Sequence, residues 1–116
     1  MLNTVTELDA YTENAEKYFR EEERQEIVDY LAKNPKKGDV IPGTNGLRKL
    51  RWGKDNKGKS GGVRIIYYFH NEKLPLYLLI MYAKDTQTDL TIKQQQRLVD
   101  LVKMLITTTT REKNNE

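Results

Sequence analysis

Val63-Arg64-Ile65-Ile66-Tyr67-Tyr68-Phe69 is the stretch that decides the fold. β-Branched and aromatic residues dominate it, and such side chains suit a pleated, half-buried surface. Strand side chains alternate between faces. Val63, Ile65, Tyr67 and Phe69 therefore share one face, and Arg64, Ile66 and Tyr68 share the other. The first set is wholly apolar or aromatic and suits a face beneath helices. Arg64 is then expected on an open face among apolar neighbours, where solubility alone does not call for it.

Working outward, Leu47-Arg48-Lys49-Leu50-Arg51-Trp52 reads as the preceding strand. Gly53 to Gly62 between them holds no apolar residue and four glycines, so it reads as a basic hairpin loop. Leu76 to Lys84 is a third strand, in which Leu78, Ile80, Tyr82 and Lys84 share a parity. Upstream, Lys36 to Gly46 is loop, rich in turn formers (Pro42, Gly43, Asn45, Gly46). Residues 2–8 alternate weakly and suit a short first strand. From Tyr11 the apolar period becomes helical, through Ala15, Tyr18, Phe19, Ile27, Val28 and Leu31. This is one bent helix or two in succession, ending near Asn34 because Pro35 follows. Glu13–Lys17 and Glu16–Arg20 have the spacing of helical ion pairs. Thr91 and Gln94 form a capping box before a last helix carrying Leu98, Leu101, Val102 and Leu105.

The order β, helices, three-strand meander, helix is α+β. It predicts a mostly antiparallel four-stranded sheet, N-terminal helices packed on one face, and a C-terminal helix. A chain of 116 residues suits one domain, read over 1–106, with a disordered tail over 107–116.

Charge is unevenly spread. Residues 1–32 carry three Lys/Arg against nine Asp/Glu; residues 33–84 carry twelve against three. The basic middle attracts a polyanion, and nucleic acid is the commonest. Cysteine is absent, which removes disulfides and thiolate chemistry and fits a reducing cytoplasm. No stretch is long and apolar enough to cross a bilayer, and the N-terminus does not read as a signal peptide. No membrane partner is expected.

The missing residues narrow the chemistry. One histidine, His70, excludes a two-histidine ribonuclease and a multi-histidine metal site. Asp85 and Asp89 have a spacing that could suggest magnesium, but Asp89 better serves the start of the last helix. No metal and no cofactor are expected. RNA cleavage needs neither, because the RNA brings its own 2′-hydroxyl nucleophile. Arginine can stabilise charge on a phosphorane, a lysine among cations can accept a proton, and tyrosine can donate one. Arg48, Lys49, Arg51, Arg64, Tyr68, Tyr82 and Lys84 can line such a groove, with rings stacking on unpaired bases.

Gly46-Leu47-Arg48-Lys49-Leu50-Arg51, Gly61-Gly62-Val63-Arg64-Ile65-Ile66-Tyr67-Tyr68-Phe69, Tyr77 to Lys84 and Asp89-Leu90-Thr91 together resemble the RelE superfamily. The resemblance is closest to its HigB and phage Gp49-like branch. It runs in element order from about Asn34 to Ile106. It implies a cytoplasmic bacterial toxin of a type II toxin–antitoxin pair, a metal-independent endoribonuclease that cuts mRNA in the ribosomal A site. It also implies a helix-turn-helix antitoxin, the 70S ribosome and mRNA as partners. Arg64 matches the family's transition-state arginine. Arg48, Lys49, Arg51 and Lys54 fall among its basic strand and loop residues, and which one matches the catalytic lysine stays open. Lys84 falls near a further basic position. The family's catalytic tyrosine after the last strand has no counterpart, since residues 85–116 contain none. Tyr82 or Tyr68 stands in, or proton transfer works differently. The expected catalytic set is Arg64, Arg51, Lys54, Lys84 and Tyr82. Arg48, Lys49, Lys57, Lys59 and Tyr68 are expected to bind RNA. The other reading is a non-catalytic or gyrase-directed protein of the same fold.

Overall fold

The structure, a computed structural model, describes residues 2–53, 62–87 and 89–114. Lys54, Lys57 and Lys59, expected in the basic loop, lie outside the described residues. The elements are β1 (Val5–Glu7), α1 (Asp9–Tyr18), α2 (Glu21–Lys33), β2 (Asp39–Val40), β3 (Arg48–Trp52), β4 (Val63–Tyr68), β5 (Leu76–Ala83) and α3 (Ile92–Asn114).

The sheet order is β1-β5-β4-β3-β2. β1 runs parallel to β5, and the other pairings are antiparallel. The α+β architecture is as expected, with one strand more than the four predicted. β2 has only two residues, too short to register as a period in the sequence.

The helical region is two helices. Phe19 and Arg20 are both extended, which breaks the run between α1 and α2. The break also changes the charge pairing: Glu16 meets Arg24 at 3.5 Å instead of Arg20. Three glutamates open α2, where the helix dipole favours negative charge. Tyr11, Ala15, Ile27 and Leu31 are fully buried against Leu50, Val63, Ile65, Tyr67, Leu76 and Leu78 on one face of the sheet. The parity read for β4 holds on this face.

Gly38 is packed beneath Tyr67. Its N–H donates to Tyr67 Oη at 2.8 Å, and the same hydroxyl donates to the Pro35 carbonyl at 2.8 Å. A Cβ on Gly38 would meet the Tyr67 ring at 2.7 Å, so only glycine allows this approach. The bonds tie the loop after α2 to the centre of the sheet.

The opposite face is covered rather than open. Leu98, Val99 and Val102 of α3 pack there with Leu47, Ile66, Leu79 and Tyr82. The capping box forms as read: Gln94 N–H donates to Thr91 Oγ1 at 3.0 Å, and Thr91 N–H donates to Gln94 Oε1 at 2.9 Å. α3 runs on through Thr107–Thr110 to Asn114, where the sequence suggested a disordered tail. Thr109 shares a hydrogen bond of 2.8 Å with Tyr77 Oη, which ties that end of α3 to β5.

β5 departs from simple alternation. Ile66 pairs with Ile80 and Tyr67 with Leu78, so Leu79 is an extra residue, a β-bulge. Leu78 therefore faces α1 and α2, whereas Ile80 and Tyr82 face α3. The expected common face of Leu78 with Ile80 and Tyr82 is corrected accordingly.

Candidate active site

The β3–β4 register sets Arg51 directly opposite Arg64, and the β4–β5 register sets Arg64 opposite Tyr82. The three form a row across the face that α3 partly covers. The Leu47 carbonyl accepts the Ile41 N–H, so Leu47, and by the strand period Lys49 and Arg51, turn their backbone groups away from β4. Arg51 and Arg64 therefore form a non-hydrogen-bonded pair, the narrow kind in which side chains lie closest. Like charges directly opposite destabilise a sheet.

Arg64 is only 4 % exposed and Tyr82 only 7 %. Among the described residues, the hydrogen bond of the Arg64 guanidinium is a long one, 3.5 Å from Nη1 to the Val63 carbonyl. No carboxylate pairs with Arg64 or Arg51 among the described residues. Tyr82 Oη is buried and has no hydrogen-bond partner among the described residues. A buried hydroxyl without a partner is costly and two facing cations repel, so the arrangement of Tyr82, Arg64 and the exposed Arg51 does not favour stability. An anion reaching both guanidiniums and the phenol would satisfy all three.

Burial pushes the Tyr82 phenol above its ordinary range; nearby Asp89 adds to this and Arg64 opposes it. The hydroxyl stays protonated at neutral pH and is a donor. Lys49, on the same face one row along, meets Asp89 at 3.4 Å. Asp89 also accepts the Leu90 N–H at 2.8 Å, which holds the chain just before α3. Its expected place at the start of the last helix is what the structure shows. Lys84 is half-buried directly after β5, two residues beyond Tyr82.

Two expected residues stand elsewhere. Arg48 has the parity of Leu50 and Trp52 and lies on the other face, where Nη1 donates to the carbonyls of Lys36 at 3.1 Å and Gly38 at 2.7 Å. It braces the loop. Tyr68 shares a face with Arg64 but sits four residues farther along β4, about 13 Å away at the strand rise. There it meets His70 Nδ1 at 3.1 Å, beside Thr44 and Val102 of a separate pocket of about 240 Å³. Of the two tyrosines, Tyr82 is the one beside Arg64.

A larger cleft of about 960 Å³ lies where Arg51 ends the row. Lys37, Lys49, Arg51, Tyr30 and Trp52 are among its lining residues. Tyr30, Trp52 and Lys37 were not singled out from the sequence. The signal lay in the alternation of β3, which turns Trp52 toward the helices and away from Arg51.

Among the described residues, no group of three or more histidine, cysteine, aspartate or glutamate side chains is placed to hold a metal. No helix among them is long and apolar enough to cross a membrane.

This arrangement, two N-terminal helices and one C-terminal helix on opposite faces of a mostly antiparallel sheet with a cationic row, is the RelE-like α+β fold. A solved structure with this fold is that of the E. coli toxin RelE, a mutant with two arginines changed to alanine, in the free state. The two superpose with a TM-score of 0.55 at 13 % identity, over 76 % of this chain and 90 % of that one. No protein-family model matches the chain.

Proposed function

We propose that this protein is a ribonuclease toxin of the RelE type, with Arg51, Arg64 and Tyr82 at its centre. The observation that carries the reading is that row: two adjacent guanidiniums without a counterion and a buried phenol without a hydrogen-bond partner, among the described residues. A phosphodiester in transit to a phosphorane supplies what the row lacks.

In this reading the RNA 2′-hydroxyl attacks the adjacent phosphorus, the P–O5′ bond breaks, and a 2′,3′-cyclic phosphate forms. Arg64 and Arg51 donate charge-assisted hydrogen bonds to the non-bridging oxygens, which gain charge in the transition state. Tyr82 gives its proton to the departing 5′-oxygen. Lys54 and Lys84 are assigned to receive the 2′-hydroxyl proton. Lys49, Lys57 and Lys59 hold flanking phosphates. Every step uses side chains and RNA alone, so no metal is required.

The resemblance to the HigB and Gp49-like branch extends the proposal to cutting mRNA in the A site of translating ribosomes, in the bacterial cytoplasm, under control of a helix-turn-helix antitoxin. The burial of Arg64 favours a second reading, a non-catalytic or gyrase-directed protein. The deciding experiment is induced expression of the wild type and of Arg64→Ala, with growth and mRNA ends mapped on translating ribosomes. Growth arrest and new mRNA ends for the wild type, both lost in a folded Arg64→Ala, are expected. Intact mRNA with inhibited gyrase would select the second reading.

A further inference from the structure

The cleft beside the row straddles the free edge of β3. β2 pairs only with Arg48 and Lys49, so the backbone N–H and carbonyl of Arg51 face the cleft beyond the end of β2. One wall carries two aromatic rings. The Trp52 indole N–H donates to Glu23 Oε2 at 3.1 Å, and Tyr30 stands edge-on to it, 5.6 Å between centroids at 70°. These contacts hold Trp52 in a fixed orientation while leaving it half-buried and part of the cleft lining. Lys37, Lys49 and Arg51 also line the cleft, with Asp39 and Asp89. Asp89 is engaged by Lys49, whereas Lys37 and Arg51 have no ion-pair partner among the described residues. The exposed apolar side chains of Val40 and Ile92 stand at its rim.

We infer that this cleft is a nucleotide subsite, in which a single-stranded RNA base stacks on Trp52 beside Tyr30 while Lys37 and Arg51 hold its phosphates. The inference rests on the ribonuclease reading and adds a position to it. Arg51 belongs to both the catalytic row and the cleft, so a strand with its scissile phosphate on Arg51 and Arg64 continues over the β3 edge into the cleft. Aromatic rings accept any base face, and the cations follow the backbone, which together define a single-strand site with little sequence preference. An extended peptide added to the β3 edge is the competing occupant. The unpaired cations favour RNA, because added strands are recognised by backbone hydrogen bonds and side-chain pockets and need no cation.

Trp52 is the only tryptophan in the chain, so its emission reports this site directly. The full-length protein is titrated at low salt with a fully 2′-O-methylated oligoribonucleotide, which cannot be cut, and separately with AMP, inorganic phosphate and polyphosphate. Binding is followed in parallel by anisotropy of the labelled oligonucleotide. The expected result is that the oligonucleotide and AMP quench Trp52, and that phosphate and polyphosphate do not. Trp52→Ala should weaken oligonucleotide binding roughly five- to a hundredfold, the range of a lost base–aromatic stack. Trp52→Phe, which keeps a ring and the packing, should restore most of it.

Oligonucleotide binding with unchanged Trp52 emission would overturn the inference, as would equal quenching by polyphosphate or no binding at all. Shielding of Trp52 from iodide by a partner peptide, with none from RNA, would assign the edge to a protein strand. Cleavage on ribosomes is scored separately. A cleaving wild type with a silent Trp52 removes the subsite alone; quenching by RNA without cleavage removes the nuclease reading alone.

Discussion

Arg51 and Arg64 face each other across the β3–β4 ladder, with no carboxylate paired to either among the described residues. Like charges in direct opposition destabilise a sheet, and burial of Arg64 adds to that. Arg51→Gln is therefore expected to stabilise the protein by up to about 1 kcal/mol and, on the ribonuclease reading, to lower RNA cleavage. Urea midpoints and ribosomal cleavage rates measured side by side test this. A variant both less stable and fully active would contradict it.

Tyr82→Phe removes a hydroxyl that has no hydrogen-bond partner among the described residues and leaves the ring packed with Leu90 and α3. Stability should hold or rise slightly, because an unsatisfied buried polar atom is lost. If Tyr82 supplies the leaving-group proton, the cleavage rate should fall on the order of 10²–10⁴-fold. Single-turnover rates together with thermal melts separate the two effects; an unchanged rate would take Tyr82 out of the chemistry.

Alkaline pH is expected to weaken the fold in a particular window. Burial raises the pKa of Tyr11, Tyr67, Tyr68 and Tyr82 above the ordinary 10.0. The folded state therefore holds these protons more tightly than the unfolded chain. Their contribution is complete below pH about 10, and it is lost as pH rises from there through the folded values. Urea midpoints should be insensitive to these groups below that pH and decline above it. Tyrosinate absorbance should rise in step with unfolding. Early ionisation of all four tyrosines in the folded protein would refute the account.

Gly38→Ala tests the tie between the loop after α2 and the sheet. The new methyl would fall 2.7 Å from the Tyr67 ring and 2.9 Å from its hydroxyl. Forcing extra volume into a packed site costs about 1–3 kcal/mol, and the Tyr67 bonds to Gly38 and Pro35 would be disturbed as well. Differential scanning calorimetry should show a lower Tm; a wild-type Tm would mean the loop yields freely.

The sequence by itself determined what is local. The two-residue period of Val63–Phe69 fixes which side chains face α1 and α2, and the structure keeps it. The Thr91–Gln94 cap and the stop before Pro35 depend on neighbours a few residues apart, and both stand as read. Three things came only with the tertiary structure. The bulge at Leu79 is invisible in a strand apolar throughout, because no period marks the slip. The position of α3 over the sheet face that carries Arg64 depends on which face a distant helix covers, and its own pattern does not encode that. Arg48 and Tyr68 left the expected groove for similar reasons: one is drawn to loop carbonyls on the far face, and the other lies at the wrong end of β4. Arg51, Arg64 and Tyr82 come from three strands, so only the cross-strand register could make them neighbours.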